Sequence, residues 1–133
     1  MKLLLDTHAL LWAIIDPDKL SPSARAAITD PAAQVAASAV SFWEISIKTT
    51  LGKLQLTGVS PEELVDAAQQ QGFDLLPLDA RLAASFSRLP ADPRHRDPFD
   101  RLLTWQAISL GYTLVSRDRK ISESQAAGLR TLW

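Results

Sequence analysis

Lys2-Leu3-Leu4-Leu5-Asp6-Thr7-His8-Ala9-Leu10-Leu11-Trp12-Ala13-Ile14-Ile15-Asp16-Pro17 is the stretch whose reading decides the fold. A short apolar run ends in a carboxylate, and a longer apolar run begins two residues later. A run of this length fits a strand buried on both faces, although length alone also admits a helical start. The setting favours the strand. The second run, Ala9 to Ile15, reads as a helix that stops at Asp16-Pro17, because the residue before a proline is pushed out of the helical region. In open α/β sheets chemistry gathers outside the carboxyl ends of the strands. Asp6 is therefore the first candidate site residue.

Outward from this stretch, strand and helix signals alternate. Ser21-Pro22 opens a helix with Ser21 as N-cap, and Asp30-Pro31 closes it. Gln34-Val35-Ala36-Ala37-Ser38 is small and apolar enough for an internal strand. Ser41-Phe42-Trp43-Glu44 has the capping-box pattern, and Trp43, Ile47 and Leu51 give the helix that follows its apolar positions before Gly52 ends it. Ser60-Pro61-Glu62-Glu63 starts a helix running to Gly72. Phe73 to Leu78 reads as a strand, and Leu82, Phe86 and Leu89 stripe a further helix. Pro90 to Pro98 is a charged, proline-rich loop. A helix then runs from Asp97-Pro98 to Leu110, with Gly111 after it. Thr113 to Ser116 and Leu129 to Trp133 supply two more strands. This order predicts βαβ units, a mainly parallel sheet covered on both faces, and a single domain over residues 1–133.

Composition narrows the functional classes. The chain of 133 residues has no cysteine, so disulfides and thiolate metal sites are excluded, and a reducing compartment fits. Neither a signal-peptide pattern nor a membrane-length apolar run is present, and the expectation is a cytoplasmic protein without membrane contact. Fourteen basic and fifteen acidic residues give a net charge of −1, so any nucleic-acid binding depends on local patches.

Asp6, Glu44, Asp97, Asp100 and Asp118 are the carboxylates that could converge. Each has an ordinary structural role open to it. Asp6 and Asp97 can cap helices, Glu44 and Asp100 each sit at the third position of one, and Asp118 can be a solvated turn charge. Their placement in a parallel sheet argues otherwise, since strand ends and helix starts share one edge. Carboxylates crowded there repel unless a cation is shared. Oxygen donors without cysteine or a histidine pair point to Mg²⁺ or Mn²⁺, and such a site suits hydrolysis of phosphodiesters. Arg94, His95, Arg96, Arg101, Arg117, Arg119 and Lys120 interleave with these acids and could hold a phosphate backbone. Lys48 is either a substrate contact or the i,i+4 partner of Glu44. His8 and His95 read as surface or hydrogen-bonded side chains rather than metal ligands.

Leu4-Leu5-Asp6-Thr7-His8-Ala9-Leu10-Leu11-Trp12, Ser41-Phe42-Trp43-Glu44-Ile45 with Lys48 and Gly52-Lys53-Leu54, His95-Arg96-Asp97-Pro98-Phe99-Asp100-Arg101-Leu102-Leu103, and Leu114-Val115-Ser116-Arg117-Asp118 together resemble a PIN-domain ribonuclease. The likeness is greatest to VapC-type toxins of toxin–antitoxin pairs, and it covers the whole chain in order. It implies a three-layer α/β/α domain with four to five strands. It also implies an acidic pocket of Asp6, Glu44, Asp100 and Asp118 holding Mg²⁺ or Mn²⁺, with Asp97 as a fifth candidate. Thr7, Lys48, Arg96, Arg101, Ser116 and Arg117 are the candidate substrate contacts. A homodimer, a cognate antitoxin and an RNA substrate follow from the resemblance and not from the spacing.

Three other readings stand beside this one. They are a housekeeping PIN nuclease of RNA processing, a catalytically silent binding or dimerisation module, and a phosphotransferase of the haloacid-dehalogenase type. The last needs a second acid two residues after Asp6, where this chain has His8.

Overall fold

A computed structural model describes residues 1–124, 126 and 128–133. Five strands form one wholly parallel sheet in the order β3-β2-β1-β4-β5. They are β1 (Lys2–Leu5), β2 (Gln34–Ser38), β3 (Asp74–Leu76), β4 (Thr113–Val115) and β5 (Arg130–Leu132). The helices are α1 (Thr7–Ile15), α2 (Pro22–Thr29), α3 (Ala39–Thr50), α4 (Pro61–Gln70), α5 (Ala80–Ser85), α6 (Pro98–Leu110) and α7 (Arg119–Ser122). No helix among the described residues is long and apolar enough to cross a membrane.

The alternation of side chains along β1 explains the layers. Leu3 and Leu5 join one core, with Leu10 of α1, Ile28 of α2 and Leu64 of α4. Leu4 points into a second core, with Leu103 and Ala107 of α6 and Ile121 of α7. A strand apolar on both faces must be covered on both, which is why β1 is central. Each fully buried leucine contributes roughly 2 kcal/mol of transfer free energy. The chain builds β1, β2 and β3 outward on one side, then places β4 and β5 on the other. The switch point therefore lies between β1 and β4, the position where open α/β sheets form a crevice.

The third helix departs from its sequence reading. Ser38, the last residue of β2, caps α3 by accepting from the Val40 N–H at 3.0 Å, so the helix starts three residues before Ser41-Phe42. Glu44 is consequently inside the helix rather than at the third position of a capping box. The apolar line Trp43, Ile47, Leu51 is also not the inner face. Trp43 is 58% exposed and Leu51 62%, whereas Val40, Ser41, Glu44 and Ile45 are buried. Helix α5 is short as well, and Phe86 begins a 3₁₀ turn instead of continuing a stripe to Leu89.

Ser38 has a second role. Its hydroxyl donates to Gln106 Oε1 of α6 at 2.5 Å, and both residues are fully buried. Ser38→Ala removes a helix cap and leaves a buried acceptor unpaired, so it is expected to cost about 2–3 kcal/mol in chemical denaturation. A loss below about 0.5 kcal/mol in that measurement would show the pair to be dispensable.

Candidate functional site

Beyond the carboxyl ends of β1, β2 and β4 lies a cleft of about 450 Å³. Asp6 follows β1 directly. Its N–H donates to the Val115 carbonyl of β4 at 3.0 Å, and its Oδ1 accepts from the Ala9 N–H at 2.8 Å, capping α1. Across the switch point, Asp118 caps α7 through Oδ1, 2.8 Å from the Lys120 nitrogen. The Asp118 N–H in turn donates to the buried Ser116 hydroxyl at 3.0 Å. Asp97 caps α6 by accepting from the Phe99 and Asp100 N–H groups at 2.9 and 3.1 Å. Asp100 lies within the first turn of that helix. Asp6, Asp97, Asp100 and Asp118 all line the cleft with Glu44.

Capping and site-lining thus coincide in three of these acids. Each cap uses Oδ1 alone, which fixes the carboxylate while its second oxygen is left to other partners.

Glu44 is held differently. It is 3% exposed and both its oxygens have donors. Thr7 Oγ1 donates to Oε1 at 2.6 Å, and the Lys48 ammonium, one helical turn on, bonds Oε2. Thr7 also lies 3.1 Å from the buried Ser41 hydroxyl, which faces inward instead of capping α3. Burial works against the Lys48 charge, but its hydrogen bond to Glu44, and behind it Asp97 and Asp100, hold the ammonium pKa above its ordinary value.

The electrostatics of the cleft are those of a site short of positive charge. Burial raises the Asp6 carboxyl above its ordinary range, and the Ser116 hydroxyl and Ala9 N–H offset this only in part. Asp100 is pushed up to about 7, first by burial and then by Asp97, Asp6, Glu44 and Asp118. A divalent cation would relieve both shifts. Among the described residues, however, no group of three or more His, Asp or Glu side chains is placed to hold an ion directly. Mg²⁺ ordinarily keeps several waters and takes one or two carboxylates, so an all-oxygen rim of spaced acids fits such an ion.

Not every candidate reaches the cleft. Arg117 lines it, with its guanidinium 5.8 Å from the centre of the Trp12 ring. Arg101 turns away, donates to the Pro90 carbonyl at 2.7 Å and lies over the Phe86 ring. Together with Arg96 it borders a separate groove beside the Pro90–Pro98 loop. His95 is neither a surface side chain nor hydrogen-bonded through Nε2. It is 4% exposed, and that nitrogen is unpaired, 3.7 Å from Asp100 Oδ2. His8 and Trp12 also line the cleft, their rings 5.5 Å apart. Their signal in the sequence is position, at the first turn after Asp6 and one turn later.

Residues 3–126 match the PIN-domain family. The chain belongs to that family. It is 29% identical to Ribonuclease VapC22 of Mycobacterium tuberculosis over 130 residues, which is 98% of this chain and 97% of that protein. Among solved structures, the PIN fold superposes on a chain of VapBC2 from Rickettsia felis bound to a promoter DNA fragment. That match has a TM-score of 0.71 and 15% identity, covering 100% of this chain and 99% of the other. A chain of DNA-bound VapBC from Salmonella typhimurium gives a TM-score of 0.68 at 16% identity, covering 99% and 97%. The likeness to these structures is one of fold.

Proposed function

We propose that this PIN domain is a divalent-metal-dependent endoribonuclease and the toxin half of a toxin–antitoxin pair, acting as a homodimer and restrained by a cognate antitoxin. The observation that carries the reading is the collection of five carboxylates from four separate segments into one cleft, with Asp100 driven to about 7. Structural capping alone does not require acids from distant parts of the chain to face one another at such cost. The 29% identity to a ribonuclease over nearly the full length supports the substrate class. Likeness to chains of VapBC complexes supports the antitoxin partner.

Asp6, Asp100 and Asp118, with Asp97 adjoining them, would hold Mg²⁺ or Mn²⁺ partly through waters, since no three such side chains among the described residues are placed to bind an ion directly. A bound ion of this kind supplies an activated water at neutral pH and offsets charge building on the phosphate oxygens. The chain's own residues do the rest. The caps on α1, α6 and α7 fix three carboxylates at helix starts. Arg117 and Lys48 bring positive charge to an otherwise acidic rim, where a phosphate backbone has to approach. Trp12 and His8 offer aromatic faces on which an unpaired base can stack.

Incubating the purified protein with total RNA and Mn²⁺, then sequencing the new ends, tests this reading. Cleavage should require the ion and stop with excess EDTA. RNA left intact under both Mn²⁺ and Mg²⁺ would overturn it and favour a silent module.

A further inference from the structure

Glu44 is set apart from the other acids of the cleft by its partners. The three capping aspartates each spend one oxygen on backbone N–H groups, whereas both oxygens of Glu44 are taken by side chains that point at it. Thr7, at the start of α1, holds Oε1, and Lys48 holds Oε2. Each oxygen keeps a second lone pair, but an ion bound there would sit beside the Lys48 ammonium, whose charge repels it. Lys48 is held at its far end instead. Its side chain is 33% exposed and lines the cleft, so the ammonium is fixed by Glu44 yet open to a ligand. An ammonium has three donors, and one bond to Glu44 leaves two for a second partner.

We propose that Glu44 is a positioning residue for Lys48 rather than a metal ligand, and that the Lys48 ammonium contacts the substrate phosphate in the cleft. The chain Thr7, Glu44, Lys48 then fixes one positive charge opposite the aspartates. A lysine on a free four-carbon stem must lose rotamer freedom to meet a phosphate, and the bond to Glu44 pays that loss in advance. A preset cation is worth more to charge that develops during reaction than one recruited from solvent. This inference rests on the ribonuclease reading for its substrate, but the statement about Glu44 does not.

Two measurements on the full chain test it, Mn²⁺ titration by calorimetry and cleavage of a fluorogenic single-stranded RNA. Glu44→Gln keeps the shape and the acceptor for Thr7 but ends the ion pair. Its Mn²⁺ affinity should fall by less than tenfold, a loss that follows from removing one nearby negative charge. Lys48→Met should lower kcat by about 10²-fold, the scale of losing one oriented electrostatic group. Its Mn²⁺ affinity should stay the same or rise. The Glu44→Gln, Lys48→Met double variant should be within threefold of Lys48→Met in kcat, because a residue acting through another adds nothing once its partner is gone.

A tenfold or greater loss of Mn²⁺ affinity in Glu44→Gln makes Glu44 a ligand and overturns the proposal. Losses in kcat that multiply in the double variant do the same, as does a Lys48→Met kcat within threefold of the parent. If no preparation cleaves RNA, the ribonuclease reading falls by itself, and the Mn²⁺ titration still decides Glu44.

Discussion

Asp6→Asn is expected to lower RNA cleavage by at least about 10²-fold while making the protein without added metal more stable. Both effects come from one physical fact. The Asp6 carboxylate is 5% exposed, and burial raises its pKa, so its charge is held against desolvation. Asparagine has the same shape, and its side-chain oxygen can still accept from the Ala9 N–H that caps α1. What disappears is the charge. The cleft then loses a deeply buried acid, and the fold loses a group it destabilises itself to contain. Thermal melting at pH 8 in EDTA should show the gain, at roughly 3–5 °C for each kcal/mol in a domain of this size. A variant that melts lower than the parent would mean that the Asp6 charge is structural. One that cleaves RNA at the parent's rate in Mn²⁺ would remove Asp6 from the site.

This opposition between charge and fold also explains which parts of the structure were legible in the sequence. Strand β2 and helix α6 could be read to the residue, because their boundaries carry strong local chemistry: a small apolar run before Ser38, and Asp97-Pro98 with Gly111 at the two ends of a helix. Gly111 has φ 76°, a left-handed backbone that favours glycine. Hydrophobicity does not mark the inner face of helix α3. Its inner face carries Ser41, Glu44 and Lys48 beside Val40 and Ile45, so the more apolar line of Trp43 and Leu51 lies outside. A site on a helix inverts the usual pattern at that helix. The capping-box pattern at Ser41 failed for a related reason. Ser38 stands at the strand's end, three residues earlier, and takes the cap first. His95 and Arg101 escaped a local reading altogether. The Pro90–Pro98 loop has the charge and proline content of a solvated turn, yet it folds back on α6. The Arg101 bond to the Pro90 carbonyl fixes that return and carries the guanidinium away from the cleft. Asp6, Asp97, Asp100 and Asp118 were legible as a group because parallel topology sends strand ends and helix starts to one edge, whatever the side-chain details.

Without divalent metal, the melting temperature of the parent protein is expected to fall as pH rises from about 4 to about 7, more steeply than that of Asp100→Asn. The folded-state carboxyl of Asp100 keeps its proton up to about 7, whereas the ordinary carboxyl loses it near 3.8. Below both values each state carries the proton, and Asp100 adds no penalty. Between them the unfolded chain releases a proton that the folded chain retains, so raising the pH favours unfolding. Above about 7 the full penalty is present. Full linkage over this interval is about 4 kcal/mol at 1.36 kcal/mol per pH unit. The Asp100 side chain is 23% exposed, and solvent screening brings the expected effect to roughly 2–4 kcal/mol. The causes beyond burial are the neighbouring acids Asp97, Asp6, Glu44 and Asp118, so a cation bound among them should cancel much of the penalty. Mn²⁺ at about a hundred times its dissociation constant should then restore about 2.7 kcal/mol at pH 8, with little effect at pH 4.5, where protonated acids bind it poorly. Asp100→Asn should flatten the pH dependence and weaken the Mn²⁺ response together. Parent and Asp100→Asn melting curves with the same slope against pH would show that Asp100 titrates normally. A parent protein that Mn²⁺ stabilises equally at pH 4.5 and pH 8 would place the ion away from these carboxylates.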